Sequence, residues 1–598
     1  MCGIAGVFSF GYQAEKIDIR ELQRMRGAML SRGPDNSGQW IHQNQKLGLA
    51  HQRLSIVDLS SAGDQPMLSK EHGLVIVFNG EIYNHVELRL ELLKKGYQFH
   101  SKSDTEVIVA MYSEYGSDCV NHLQGMFAFA IWDEKKQGVF LARDQFGIKP
   151  LYYSVGSGVL RFASQVKALL ATNAINKTPD SAGYVGYLLL GSVPEPFTLY
   201  QNIHALKAGS RLWISNNCIG QESQYWSVSK FLESAEKESL IPSVGLFESA
   251  LNESMIKHLS ADVPVGLFLS SGMDSSALAI SASSISENIK ALTLGFEDYK
   301  NTSDDEIPSA VLTAEHLGIS HIKFYANRKN FLKYKDKFFD AMDQPSVDGL
   351  NIFFISKLLK EQGLKVGITG LGGDEWFAGY PSFSHVPALA SLPSIGRAGK
   401  WFRRIGQKTI SKVASEKYAG IFEYCGNYSG AYLLRRSVNM PWRLPEILTE
   451  DFAVEGWRRL ELFDRLDATT KNLQSPRLKV TSLEIEWYMR NQLLRDADWA
   501  GMAHSVEIRT PFIDLKFANS ILPIINSANR ISKKTVFSEF LIQNFPGLLR
   551  RKKTGFSVPI KKWLMSDKGD DKFMYGSSSW QTIILNKFVD GNYEILKK

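Results

Sequence analysis

The chain is poor in cysteine, in net charge and in long apolar runs, and each shortage removes a class of protein. Four cysteines, Cys2, Cys119, Cys218 and Cys425, serve 598 residues. They show no CxxC and no paired spacing, which excludes a disulfide scaffold and a zinc site and points to a reducing compartment. The formal charge of +7 is small for this length and is spread out, apart from RRKK at 550–553. A nucleic-acid partner is therefore not expected. No apolar run approaches the roughly 18 residues of a membrane span. The longest, YVGYLLLG at 184–191, reads as a buried helix or strand. Glu15, Lys16 and Asp18 interrupt any signal-peptide core, so a cytoplasmic location without a membrane partner is expected. Low-complexity segments and internal repeats are absent.

What is present is an ordinary globular composition, 44% hydrophobic and 22% charged, long enough for several domains. In the N-terminal half, CGIAGVF (2–8), GLAHQRLSIVD (48–58) and LVIVFNGEIYN (74–84) read as strands, and RGPD (Arg32 to Asp35) as a turn. HVELRLELLKKG (85–96) reads as a helix stopped by its Gly. In SDTEV, Ser103 or Asp104 is placed to cap a helix running to about Tyr115. MFAFAIWD and GVFLARD form a hairpin pattern.

Removal of Met1, which the small Cys side chain permits, leaves Cys2 with a nucleophilic thiol and a free amine of pKa about 8 as its base. An uncleaved leader would disable that amine. Attack on an amide also needs oxyanion donors, which Asn79 and Gly80 offer. Arg53 offers a fork for a carboxylate, and Asp104 with Glu81 a seat for an ammonium. Each alone is more often a surface charge or a cap; their co-occurrence carries the weight.

In the C-terminal half, VPVGLFL (263–269) is a near-continuous apolar run, as in a parallel strand buried on both faces. It leads into SSGMDSS (270–276) and the apolar helix ALAISAS. Such a strand, small-residue turn and helix N-terminus make an anion site. It is neither a Walker A loop nor a dinucleotide fingerprint. KALTLGFED (290–298), SDDEIPSAVLTAEHLGISH (303–321), LKVGITG (364–370) and the loop LGGDEWFAGY (371–380) continue a strand–helix alternation. A doubly wound α/β sheet is expected, with Asp274 and Asp374 on two strand-end loops able to share Mg²⁺–pyrophosphate. Either loop alone is about as well read as an ordinary turn.

CGIAG, RGPD, RLSIVD, FNGEIYN, SDTE, LQGMFAFAIWD and ARDQFGIKPLYY together resemble the class II glutamine amidotransferase domain, an N-terminal-nucleophile hydrolase with an αββα sandwich. The two acidic loops, DADWAGMAHSVEIRTPFID (496–514) and RKKTGF (551–556) resemble the ATP-pyrophosphatase half of glutamine-hydrolysing asparagine synthetases. The implied division is 2–210 glutaminase, 211–240 connector and 241–598 synthetase with extra helices. The resemblance implies Cys2 as nucleophile and Asn79 and Gly80 as oxyanion hole. Glutamine would be bound by Arg53, Leu54, Ser55, Ile56, Val57, Asn79, Gly80, Glu81 and Asp104. ATP would be bound by Leu269, Ser270, Ser271, Gly272, Asp274, Ser275, Leu294, Thr369 and Gly370. Asp274 and Asp374 would hold Mg²⁺, and Lys553 would steady the departing charge.

Implied partners are glutamine, ATP and a carboxylate acceptor; a homodimer is left open. The implied chemistry is amidation of an acyl-adenylate by ammonia, with aspartate as the leading acceptor. A uronic acid or another carboxylate is the alternative. A β-lactam-synthetase-like cyclase and a non-catalytic binding protein are weaker readings. The sequence departs from the family at Gln165 (commonly Glu), Ser271 (Gly), Leu371 (acidic, or Tyr in the β-lactam-forming relatives) and Gln344 (more usually acidic, near the acceptor pocket).

Overall fold

The computed structural model describes residues 2–11, 14–216, 218–237, 244–395, 397–410, 415–526, 533–546, 557–565, 577–589 and 593–597. Lys553 and the RKKTGF block lie outside the described residues.

The first strands are β1 (Gly3–Ser9), β2 (Asn36–Ile41), β3 (Leu47–Arg53), β4 (Met67–Ser69), β5 (Leu74–Ile82), β6 (Gly125–Asp133) and β7 (Gly138–Arg143). They are followed by β8 (Tyr152–Gly156), β9 (Val159–Ala163), β10 (His204–Ala205), β11 (Ser210–Ser215), β12 (Cys218–Ile219) and β13 (Ser223–Gln224). Two antiparallel sheets result, ordered β10-β8-β9-β1-β3-β2 and β12-β11-β7-β6-β5-β4, with β13 on β11. Period-two alternation sorts their side chains into layers. Ile4 and Phe8 of β1, Val75 and Val77 of β5, and Ala128, Ala130 and Trp132 of β6 pack between the sheets. The alternate residues Ala5 and Val7 face helices α1 (Ile19–Gly27) and, later in the chain, Val166–Leu170. Ile76, Phe78, Phe127 and Phe129 face α2 (His85–Lys94) and α3 (Asp104–Tyr115). This is the expected αββα sandwich. Both faces of each sheet are buried, so the strands read as apolar runs rather than as clean alternation. Ser103 caps α3 as expected, accepting from the Thr105 N–H at 3.1 Å. The strand expected over 48–58 ends at Arg53, and 54–58 is irregular.

The apolar stretch at 184–191 is helical: α4 (Val166–Leu170) is followed by α5 (Ser181–Leu190), closed by Gly191 at φ +81°. Tyr184, Val185, Tyr187 and Leu188 of α5 belong to the same apolar cluster as Leu292, Phe338 and Trp499. The helix precedes the expected connector in sequence but packs in the core of the C-terminal half. β11, expected within the connector, instead pairs with β7 from Arg211↔Ala142 to Ser215↔Gly138.

The C-terminal half adds α6 (Val244–Leu259), β14 (Val265–Phe268), α7 (Met273–Ile285), β15 (Lys290–Phe296), α8 (Ile307–His316), β16 (Ser320–Ala326), α9 (Leu350–Glu361) and β17 (Val366–Ile368). Further along lie α10 (Arg397–Ile410), a π-helix at Glu484–Leu494, α11 (Arg495–Met502) and β18 (Glu507–Arg509). The five strands pair in parallel in the order β16-β15-β14-β17-β18. Strand order reverses between β14 and β17, and ligands of such sheets sit outside the carboxyl ends at that point. The loops after β14 and β17 are the two acidic loops singled out from sequence.

Candidate active sites

The first site forms where β1 meets β5. The nitrogen of Cys2 donates to Asn79 Oδ1 at 2.9 Å. Asn79 is fully buried and its Nδ2 has no hydrogen-bond partner. A buried donor without an acceptor is costly, and this one sits on the residue that touches the nucleophile. Gly80 follows at φ +156°, and a Cβ there would come within 2.0 Å of Met126 O, so only glycine fits. Burial pushes the Cys2 thiol up, so it needs a base to react.

Cys2 shares its cavity with Arg53, Leu54, Ile56, Val57, Gly80, Glu81, Asp104 and Glu507. Arg53 Nη1 donates to Asp64 Oδ1 (2.6 Å) and Ser60 O (2.8 Å), and Nη2 to Asp58 O. Burial raises Glu81 well above the usual carboxylate range, and the charge of Asp104 adds to it. Burial also raises Asp104, against a 2.9 Å hydrogen bond from the Ile82 N–H. Ser55 alone of the 53–57 segment is not a wall of this cavity; its N–H goes to Asp35 at 2.8 Å.

Two members of this site escape sequence reasoning because they come from the far half of the chain. Glu507 and Arg509 are on β18, two residues apart and so on one side of the strand. Arg509, fully buried, donates through Nε to Glu507 Oε1 (2.6 Å) and through Nη2 to Glu81 Oε2 (3.2 Å). Its Nη1 donates to His258 O (2.8 Å) and Ser260 O (2.7 Å). Burial works against ionisation of Glu507, yet positive charge including Arg509 and Lys149 holds it down at about 2. Behind the nucleophile, Arg32 of the RGPD turn donates through Nε to Cys2 O (3.0 Å) and pairs with both Asp498 oxygens (2.7 and 3.0 Å). Charges as deeply buried as those of Glu507 and Arg509 are rare without a partner, and here each supplies the other's.

The second site is a cavity of about 290 Å³ between the two strand-end loops. Its walls include Leu269, Ser270, Gly272, Asp274, Ser275, Leu294, Thr369, Gly370, Leu371 and Asp374, with Glu306 and Asn351 added by the structure. Ser271 is not among them. Ser270 Oγ accepts from the Gly272 N–H (3.1 Å) and Ser275 Oγ from the Ser270 N–H (3.1 Å), which shapes the turn into α7. A Cβ on Gly373 would come within 2.2 Å of Asp274 Oδ1, and one on Gly370 within 3.0 Å of Asp274 Cβ. The glycines of one loop therefore make the room in which the aspartate of the other sits. Two carboxylates on one cavity suit Mg²⁺, which takes one or two protein carboxylates and fills its sphere with phosphate and water. Among the described residues there is no cluster of three or more metal-binding side chains.

Residues 1–226 match the glutamine amidotransferase domain family, and residues 246–574 match asparagine synthase. Asparagine synthetase [glutamine-hydrolyzing] 1 of Bacillus subtilis is 31% identical over 95% of this chain and 89% of its own. A putative asparagine synthetase of Methanocaldococcus jannaschii is 32% identical over 76% of this chain and 87% of its own. Amidase chry2 of Gibberella zeae is 31% identical over 61% of this chain and 56% of its own.

The chain belongs to the asparagine synthase family. It is an ATP-dependent ligase that takes nitrogen from glutamine.

Within the family's acceptor region, Leu371 lies on the wall of the loop cavity. Gln344 does not. It is buried (1% exposed), with Nε2 donating to the Tyr152 hydroxyl at 3.2 Å. Gln344 thereby links the two halves. Gln165 also lies at that junction, where the following N–H groups, Val166 and Lys167, donate to Asp343 (2.8 and 3.0 Å). Beside Asp374, burial and then the Asp374 charge push Glu375 up to about 8. It accepts from the Tyr380 hydroxyl at 2.9 Å.

Proposed function

We propose that Cys2 hydrolyses glutamine and that the ammonia amidates an acyl-adenylated carboxylate at the loop cavity, with aspartate as acceptor and asparagine, AMP and pyrophosphate as products. The observation that carries the pairing is β18. Glu507 at its start is a wall of the Cys2 cavity. Arg509 O at its end accepts from the Thr369 N–H at 3.0 Å, at the edge of the phosphate loop. One three-residue strand touches both chemistries.

In this reading residues 2–210 make ammonia, 241–598 use it, and 211–240 connect them while lending β11 to the second antiparallel sheet. The thiol attacks the glutamine side-chain amide while the amine of Cys2 takes its proton. The tetrahedral oxyanion is met by the unpartnered Asn79 Nδ2 and the Gly80 N–H. Arg53 holds the glutamine carboxylate, and Glu81 with Asp104 its ammonium. At the second site the serine turn 270–275 and the α7 N-terminus hold the ATP phosphates, with Leu269 and Leu294 against the nucleotide. Asp274 and Asp374 would hold Mg²⁺, which neutralises pyrophosphate as it leaves. Lys553 is assigned the same charge-steadying task.

A second acceptor reading is favoured by Leu371. A leucine cannot take a proton from attacking ammonia, so an acceptor other than aspartate, such as a uronic acid, remains a defined alternative. The test is pyrophosphate release with glutamine and ATP against aspartate and a panel of uronates. Release that depends on aspartate supports asparagine synthesis; release only with uronates replaces it.

A further inference from the structure

Between Arg397 and Lys412 the sequence has six basic residues and no acidic one. The segment includes α10, whose inner face is fixed to the body. A Cβ on Gly399 would come within 2.7 Å of the Phe422–Glu423 backbone. Arg403 pairs with Glu423 at 2.8 Å and covers the Trp442 ring at 4.4 Å. The helical period of 3.6 puts positions 401 and 405 on the other side, one turn apart. Trp401 is 61% exposed and Ile405 58%. Exposed Lys400 and Arg404 flank this stripe on one side, and Phe402, with Phe422 at a ring distance of 6.0 Å, borders it on the other. Basic and apolar groups thus face solvent together.

We propose that α10 docks the enzyme on an anionic lipid bilayer, lying in the headgroup plane with Trp401 and Ile405 at the acyl boundary and Lys400 and Arg404 on the phosphates. Charge complementarity selects this occupant. A second copy placed face to face would set one basic stripe against another, which like charge opposes. An anionic surface accepts the cations, and its interface is where tryptophan is favoured. No described helix is long and apolar enough to cross a membrane; an in-plane amphipathic helix needs no span. The sequence-based expectation of no membrane partner rested on the lack of a spanning run and of a signal-peptide core, neither of which bears on an in-plane helix.

The test is flotation of the full chain with phosphatidylcholine vesicles and with vesicles containing phosphatidylglycerol, at low and high salt. Expected is binding to the anionic vesicles only, weakened by salt and reduced at least ~tenfold by Trp401→Glu with Ile405→Glu. Glutaminase rate should be unchanged in that variant, which certifies its fold. Lys400→Glu with Arg404→Glu should remove the salt-sensitive part. Failure to float with anionic vesicles, equal binding to both vesicle types, or unchanged binding by the variants overturns the proposal. A concentration-dependent dimer that the Trp401 and Ile405 changes dissolve also overturns it, in favour of an interface between copies.

Discussion

Asn79 is where the chemistry of the first site is most exposed to test. Its Oδ1 is occupied by Cys2 and its Nδ2 is empty, so the two ends of one amide have separate tasks. Asn79→Ala should lower the glutaminase kcat by about 10²–10³, while pyrophosphate release driven by added ammonia stays near wild type. Loss of both activities together would mean that the residue only holds the fold. Glu81 and Asp104 add a pH dependence with a definite sign. Burial raises both carboxyls, so on acidification they lose the charge that grips an ammonium earlier than exposed carboxylates do. KM for glutamine should therefore rise as pH falls from neutral, whereas protonation of the Cys2 amine should appear in kcat. Glu81→Gln should flatten the KM limb and leave the kcat limb in place; a KM without pH dependence in wild type would remove the assignment.

At the scale of elements, the two strand-end loops behave as one device. Gly373 gives Asp274 its room, so Gly373→Ala should displace the carboxylate and abolish acceptor-dependent pyrophosphate release without touching glutamine hydrolysis. Equal synthesis by this variant would show that Asp274 is not needed where it sits. These loops were legible in the sequence because small residues and an acid follow an apolar strand, and the parallel sheet then puts both at the switch point. Single strands of the sandwich were legible for a similar reason, since strands covered on both faces write themselves as apolar runs; their αββα layering was implied by the family resemblance. β18 was not. Three residues are too short for periodicity, and its task depends on a pairing with β17 and a contact with β5 that lie about 140 and 430 residues away in the chain. The contact of Gln344 was hidden for the same reason: its partner Tyr152 belongs to the other half. Local pattern carries local structure; which side chains meet across the junction is set by tertiary packing.

The whole molecule is joined by buried polar links, and one of them stands directly behind the nucleophile. Arg32 is fully buried, holds Cys2 O, and spends its fork on Asp498 in α11, across the junction. Removing one partner strands the other charge in a dry site, which costs about 3–5 kcal/mol. Arg32→Met and Asp498→Ala should each lower the thermal unfolding midpoint, and the double variant should lose less than the sum of the two, since the pair acts as a unit. The same link bears on how tightly ammonia production is tied to its use. With Arg32 intact, a change at Asp498 can reach Cys2 through one guanidinium. With Arg32→Met that route is gone, so glutamate formed per pyrophosphate released should rise above the wild-type ratio. A strictly additive double variant with an unchanged product ratio would show that the two halves are merely adjacent, and that Arg32 contributes packing rather than coupling.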